Sequence, residues 1–270
     1  MLRFFNMRKI ILPRLHFESL PQSLPRLQSH RGAWKDSNLI ENSMGAFRRS
    51  KKIGFEMLEM DLRLTKDKIP VVFHDINLKR ILGDDVPIRE IDHHDLRTKC
   101  EASQNAKSIL APCLGQVLLD QDIPQWLNLE IKSDDVLYDD VERHVATVVR
   151  NTPHEKKIIF SSFNPATIWK LSKYLPEIPR AFLVSEENIE ENSVWLKEFL
   201  VLPLLKIHMI NMSQNLVDIL DPWFLREHKV PYSVWTVNDR SKVRQHLDMG
   251  AASVITDLVD INPKKISDLK

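Results

Sequence analysis

Short apolar runs recur along the chain from about residue 27, and most are closed by a polar or charged residue. They are LQSHRG (27–32), MLEMDLRL (57–64), IPVVFHD (69–75), WLNLEIK (126–132), KKIIFSSF (156–163), RAFLVS (180–185), IHMINMS (207–213), YSVWTVN (232–238) and ASVITD (252–257). Such runs read as buried parallel strands with working residues at their carboxyl ends. Helix-like stretches lie between them. ENSMGAFRRSKKIG (41–54) puts Met44, Phe47 and Ile53 near one face and stops at Gly54. DVLYDDVERHVATVVR (135–150) spaces Val136, Leu137, Val141, Val145 and Val148 helically. NPATIWKLSKYLP (164–176) opens on an Asn-Pro cap, and DRSKVRQHLDMG (239–250) ends on glycine. The alternation predicts a one-domain α/β protein with a parallel sheet, as a barrel or an open sheet.

One pair of runs breaks the alternation. MDLRLTKDKIPVVFHD leaves no room for a helix between its strands, so these two are antiparallel and joined by a tight turn. With Asp67-Lys68 as a two-residue turn, Asp61 lies opposite His74. A one-residue slip would undo that pairing.

Length and composition bound the rest. The 270 residues accommodate a barrel of about 250. With 43% hydrophobic and 28% charged residues, disorder and a membrane bundle are excluded. A net charge of +1 recruits neither nucleic acid nor an anionic membrane. Cys100 and Cys113 lack metal or redox spacing and read as free thiols of a reducing compartment. No apolar run reaches the roughly 20 residues that span a bilayer. Residues 1–17 carry Arg3, Arg8, Lys9 and Arg14 and no acid before Glu18. They read as an extension packed on the exterior, with a weak membrane-surface contact as the alternative, because Pro13 interrupts a surface helix. No secretory signal is recognised, which favours the cytoplasm.

The strand ends carry the candidate chemistry. Glu59 and Asp61 share one face of their strand, as do Glu130 and Lys132. Three carboxylates aimed at one mouth can share a hard divalent cation through oxygen ligands. His30 and His74 can act as acid and base at neutral pH, with Asp75 as orienter or strand end. Arg31 and Lys132 bring positive charge for a phosphate. Alone, each has a plainer reading: a strand-end histidine is usually just satisfied or exposed, and Trp235 is usually core. Convergence at the carboxyl ends of barrel strands lifts the set above its parts.

The ordered motifs His30-Arg31-Gly32, Glu41-Asn42-Ser43, Ala46-Phe47, Gly54, Glu59-Met60-Asp61, Leu64 to Asp67, Pro70 to Asp75, Leu78 with Arg80, Asn128 to Lys132, Ser161 to Phe163, Trp235 to Asp239 and Ile255 to Asp257 resemble the glycerophosphodiester phosphodiesterase family. The resemblance runs from about residue 27 to 260. It implies a (β/α)8 TIM barrel with an antiparallel hairpin after the second strand, as a domain over 27–270 behind an extension over 1–26. It implies hydrolysis of a glycerophosphodiester to sn-glycerol 3-phosphate and an alcohol, with one divalent cation, Mg2+ or Ca2+. Glu59, Asp61 and Glu130 match the metal ligands and His30 and His74 the acid and base. Arg31, Lys132 and Trp235 match substrate-binding positions. A lysophospholipase D is the alternative within this class, and a catalytically silent barrel that binds phosphorylated ligands the alternative outside it. The chain departs from the pattern at Ile40 (usually Pro), Ser43 (Thr), Lys68 (Gly) and Gln116 (Glu). Gly32 is expected to let phosphate and metal approach the backbone where the first strand ends.

Overall fold

A computed structural model of the chain describes residues 15–103, 110–133, 140–150, 152, 157–186 and 202–264. All nine expected strands form: β1 Leu27–His30, β2 Met57–Leu64, β3 Pro70–Val72, β4 Trp126–Ile131, β5 Ile158–Ser162, β6 Arg180–Val184, β7 Met209–Ser213, β8 Tyr232–Trp235 and β9 Ser253–Thr256. Eight are parallel, and pairing of β1 with both β2 and β9 closes them into a TIM barrel. β3 runs antiparallel to β2. β1 stops at His30, opposite Glu59, while β2 continues to Leu64. Leu62 O faces β4, where it accepts from Lys132 N, and Asp61 O faces the other way, where it accepts from Phe73 N. β3 therefore takes the edge that β1 vacates.

The hairpin differs from its sequence-based register by one residue. Leu62 pairs with Val72 and Leu64 with Pro70, so Asp61 stands opposite Phe73 and not His74. The turn has three residues, because Thr65 N donates to Ile69 O and Thr65 Oγ1 accepts from Ile69 N. Lys68 sits at φ 67°, a left-handed conformation that glycine adopts without strain. That conformation suits the glycine that the family resemblance leads one to expect there. Gln116 has a local role too: its side chain accepts from Cys113 N and caps the helix Leu114–Leu119.

Helices cover the barrel where the sequence places them. Met44–Ile53 is capped by Ser43 and closed by Gly54. Pro165–Tyr174 is capped by Asn164, and Arg240–Asp248 by Asp239. The stretch expected from residue 135 is a helix over Val141–Val149; Val136 and Leu137 lie outside the described residues. The outward residues Leu58, Met60, Leu62, Leu127, Leu129 and Ile131 are buried beneath these helices.

Inward residues form layers. At the strand starts Met57, Trp126, Ile159, Ala181 and Met209 make an apolar floor, and Leu20 and Leu24 pack against it. Above lies a polar layer: Gln28 donates to Ser253 and accepts from Asn128, which accepts from Ser161. Hydrogen bonding makes these buried polar groups tolerable. The next inward residues are the charged groups at the carboxyl ends of the strands. Of the basic N-terminal stretch, only residues 15–17 are described; Leu15 and Phe17 pack against the core.

His208, just before β7, is buried and accepts through Nδ1 from Arg180 N at 3.1 Å. Burial and the Arg180 charge push its pKa down to about 4. The unfolded chain takes up this proton near pH 6.5, whereas the folded chain resists until about 4. Stability is therefore expected to fall as pH drops through that window, by on the order of 1 kcal/mol between pH 6.5 and 5. In melting curves His208→Gln should flatten that decline, and an unchanged slope would contradict the assignment.

Candidate active site

Period-two alternation turns Glu59 and Asp61 of β2 inward, and the parallel register sets Asp61 beside Glu130 of β4. Glu59, Asp61 and Glu130 each offer an oxygen, and these oxygens lie within 4.8 Å of one another. This is an acidic cluster that could bind a metal. Two cations meet it. Arg31 Nε is 3.1 Å from Asp61 Oδ2, and Arg31 N donates to Glu59 Oε2 at 3.0 Å. Lys132 Nζ contacts Glu130 and lies 3.3 Å from Asp61 Oδ1.

The cluster's charges are split by their neighbours. Burial, with Asp61 and Glu130 close by, pushes the Glu59 carboxyl well above its usual range. Burial would raise Asp61 as well, but Lys132, Arg31 and His74 outweigh it and hold that carboxylate well below its usual range. Glu130 and Asp61 keep Lys132 charged despite its burial. Glu59 Oε1 is buried with no hydrogen-bond partner among the described residues.

Each histidine has its own carboxylate. His30 Nδ1 is 2.7 Å from Asp257 Oδ1 at the end of β9, and Asp257 is also held by Lys35 and Asn238. His74 Nδ1 is 2.7 Å from Asp75 Oδ1. A carboxylate at Nδ1 fixes the tautomer and leaves Nε2 for other work. His30 Nε2 lies 4.0 Å from Glu59 Oε2. Burial lowers the His74 pKa, with Lys132 and Arg31 adding to the effect against the pull of Asp61. His74 lies beyond β3, where Arg63 Nε holds its carbonyl at 2.9 Å. That departure from the sheet brings it to the mouth despite the shifted register.

A cavity of about 340 Å3 opens among these groups. His30, Arg31, Glu59, His74, Glu130 and Lys132 line its charged side, and Phe163, Leu183, Trp235 and Ile255 its apolar side. Trp235 stands edge-on to Phe163 with ring centroids 5.6 Å apart, and its Nε1 donates to Asn211 O. All eight residues singled out in the sequence, including the buried Asp61, are thus brought to one mouth.

The family model for the glycerophosphoryl diester phosphodiesterase family matches residues 30–261. The chain belongs to this family. Membership makes it a phosphoric diester hydrolase. A glycerophosphodiester phosphodiesterase of Caldanaerobacter subterraneus is 27% identical over 85% of this chain and 92% of its own. A lysophospholipase D of Homo sapiens is 26% identical over 94% of this chain and 88% of its own. Among solved structures, a phosphodiesterase of Oleispira antarctica in complex with sn-glycerol 3-phosphate superposes with a TM-score of 0.71 at 24% identity, covering 91% of this chain and 96% of that one. This member of the family also holds site groups that the sequence left without roles. Asn42 Nδ2 donates to Asp61 Oδ2 at 2.8 Å, and Glu41 accepts from Arg31. The signal was in the Glu-Asn-Ser motif. Asp257 could be matched to His30 only once closure of the barrel put β9 beside β1.

Gly32 has a packing reason beside the one expected. It sits at φ 85°, and a Cβ there would lie 2.7 Å from Ala46 Cβ and 2.9 Å from Ala46 C. Its glycine makes room for the helix Met44–Ile53. Gly32→Ala should therefore lower the melting temperature without ligand, on the order of 1–3 kcal/mol of stability. An unchanged melting temperature with only a weakened substrate affinity would restore the ligand-approach reading.

Proposed function

We propose that the chain hydrolyses glycerophosphodiesters to sn-glycerol 3-phosphate and an alcohol. His30 and His74 form the proton-transfer pair, and Glu59, Asp61 and Glu130 hold one divalent cation, Mg2+ or Ca2+. The observation that carries this reading is the meeting of two carboxylate-buttressed histidines and an acidic cluster in one cavity. The relative named as a glycerophosphodiester phosphodiesterase and the neighbour holding sn-glycerol 3-phosphate support it.

The residues fit a hard cation. The unpartnered, buried Glu59 Oε1 is costly to bury alone, and an all-oxygen donor set suits Mg2+ or Ca2+. When bound, the cation supplies Lewis-acid polarisation of a phosphoryl oxygen. Arg31 and Lys132 add positive charge where the phosphoryl oxygens gain negative charge. Arg31 suits bidentate contact, and Lys132 acts as a point charge.

His74, held neutral by burial and its cationic neighbours, takes the proton of the glycerol 2-hydroxyl as that oxygen attacks phosphorus. His30, with Nδ1 committed to Asp257, gives its Nε2 proton to the leaving alkoxide. The alcohol departs and a cyclic phosphate remains. Water then opens the ring: His30 accepts the water proton, and His74 returns its proton to the 2-hydroxyl oxygen. Both histidines end as they began, and one water is consumed.

The apolar side of the cavity and the relative named as a lysophospholipase D favour lysophospholipids as a second substrate class. Glycerophosphocholine, glycerophosphoinositol and lysophosphatidylcholine, assayed with Mg2+ and with Ca2+, separate the two. Turnover of none of them would favour the silent, phosphate-binding barrel.

On the preferred substrate, His30→Ala and His74→Ala should each lower kcat by about 100-fold or more while the circular dichroism spectrum stays unchanged. Retained turnover would refute the histidine pair. Chelation of divalent cations should abolish turnover, and added Mg2+ or Ca2+ should restore it. Rates indifferent to chelator would refute the cation.

A further inference from the structure

Arg80 belongs to a short helical turn, Lys79–Leu82, just after β3. It is part of a family-like motif, yet the chemistry above gives it no task. Its contacts suggest one. Nε donates to Asp75 Oδ2 at 2.6 Å and Nη2 to Asp75 Oδ1 at 3.1 Å, a two-pronged grip on one carboxylate. Nη2 also donates to Glu41 Oε1 at 2.6 Å. Asp75 is the carboxylate that holds His74 Nδ1, and Glu41 Oε1 is the acceptor for Arg31 Nη1 at 3.1 Å. One guanidinium thus links the partner of a histidine to the partner of an arginine, across two loops that follow different strands.

We propose that Arg80 is a positioning residue that braces His74 through Asp75 and Arg31 through Glu41. The inference rests on the roles given to His74 and Arg31 under the proposed function. His74 needs such a brace because it lies in no strand. Beyond β3 the backbone is held by Phe73 N on Asp61 O and by Arg63 on His74 O, and neither contact sets the angle of the ring. Asp75 sets it, and Arg80 occupies both Asp75 oxygens.

An exposed ion pair usually contributes little, because water screens it and two long side chains must be ordered. Two features set this one apart. The grip is forked, which fixes orientation as well as charge. The guanidinium side chain is 49% exposed, but Glu41 is only 9% and Asp75 20% exposed, so both acceptors stand largely out of water. A rigid partner matters for a proton-transfer group, since small misplacements cost rate steeply.

The test compares wild type, Arg80→Gln and Arg80→Lys by steady-state kinetics on glycerophosphocholine and by NMR of the histidine Nδ1 protons. The His74 resonance is assigned by its loss in His74→Gln. In Arg80→Gln, kcat should fall by about 10-fold to 100-fold, the range seen when the outer partner of a metal-ligating histidine is removed. KM should rise as Arg31 loosens, and the His74 Nδ1 proton should shift or broaden. Arg80→Lys should recover part of kcat and of the resonance, because a point charge replaces the fork. The brace is refuted if Arg80→Gln stays within about twofold of wild type in kcat and KM with the resonance unmoved. It is equally refuted if Lys rescues nothing and both variants simply melt early. Absence of wild-type turnover on this diester would count against the proposed substrate. The resonance would then decide the brace by itself: a shift in Arg80→Gln supports it, and an unmoved signal refutes it.

Discussion

Three carboxylates crowded at the mouth of the barrel are the constraint on which the site depends. Glu59, Asp61 and Glu130 cannot all remain ionised out of water without positive charge close by. Arg31 and Lys132 supply two charges, which leaves one carboxylate uncompensated. Without a cation the imbalance falls on Glu59, whose carboxyl is pushed toward its neutral form. A divalent ion would remove it. The neighbouring backbone is arranged around the same problem. Arg31, at φ 53°, turns its N–H onto Glu59, and Asn42, at φ 55°, turns its amide onto Asp61. Two residues in a sparsely populated conformation are tolerated where they satisfy buried carboxylates.

The barrel makes that crowding feasible by grading its interior. Its floor is apolar, its middle layer is neutral and hydrogen-bonded, and among the described residues the charged inward groups stand at the carboxyl ends. The same period of two that puts leucines under the helices puts the acids inside. A phosphodiester entering the mouth would meet histidines and cations on one side and Trp235 and Phe163 on the other. The geometry fits the phosphoric diester hydrolysis that membership of the glycerophosphoryl diester phosphodiesterase family gives.

The strands were legible because burial on both faces writes short apolar runs, and one helix start because Asn164 marks it directly, whereas the caps Ser43 and Asp239 emerge from the structure. The hairpin register was less so. Asp67-Lys68 resembles a two-residue turn, but the Thr65 hydroxyl captures Ile69 N and widens the turn to three. Pairings between distant residues left no local trace. Nothing near His30 announces Asp257, which reaches it only through closure of the barrel, and nothing near Arg31 announces Arg80. A glycine beside a site suits a ligand or a helix equally well in the sequence, and the packing reason for Gly32 becomes visible only with the position of Ala46. Among the described residues no helix is long and apolar enough to cross a membrane.

Calorimetric titration of the protein with Mg2+ and with Ca2+, in buffers of different ionisation enthalpy, addresses the buried cluster without recourse to turnover. The charge imbalance predicts one binding site, proton release on binding as Glu59 ionises, and loss of both in Glu59→Gln. Absence of binding, or binding that Glu59→Gln leaves intact, would contradict the cluster as a cation site.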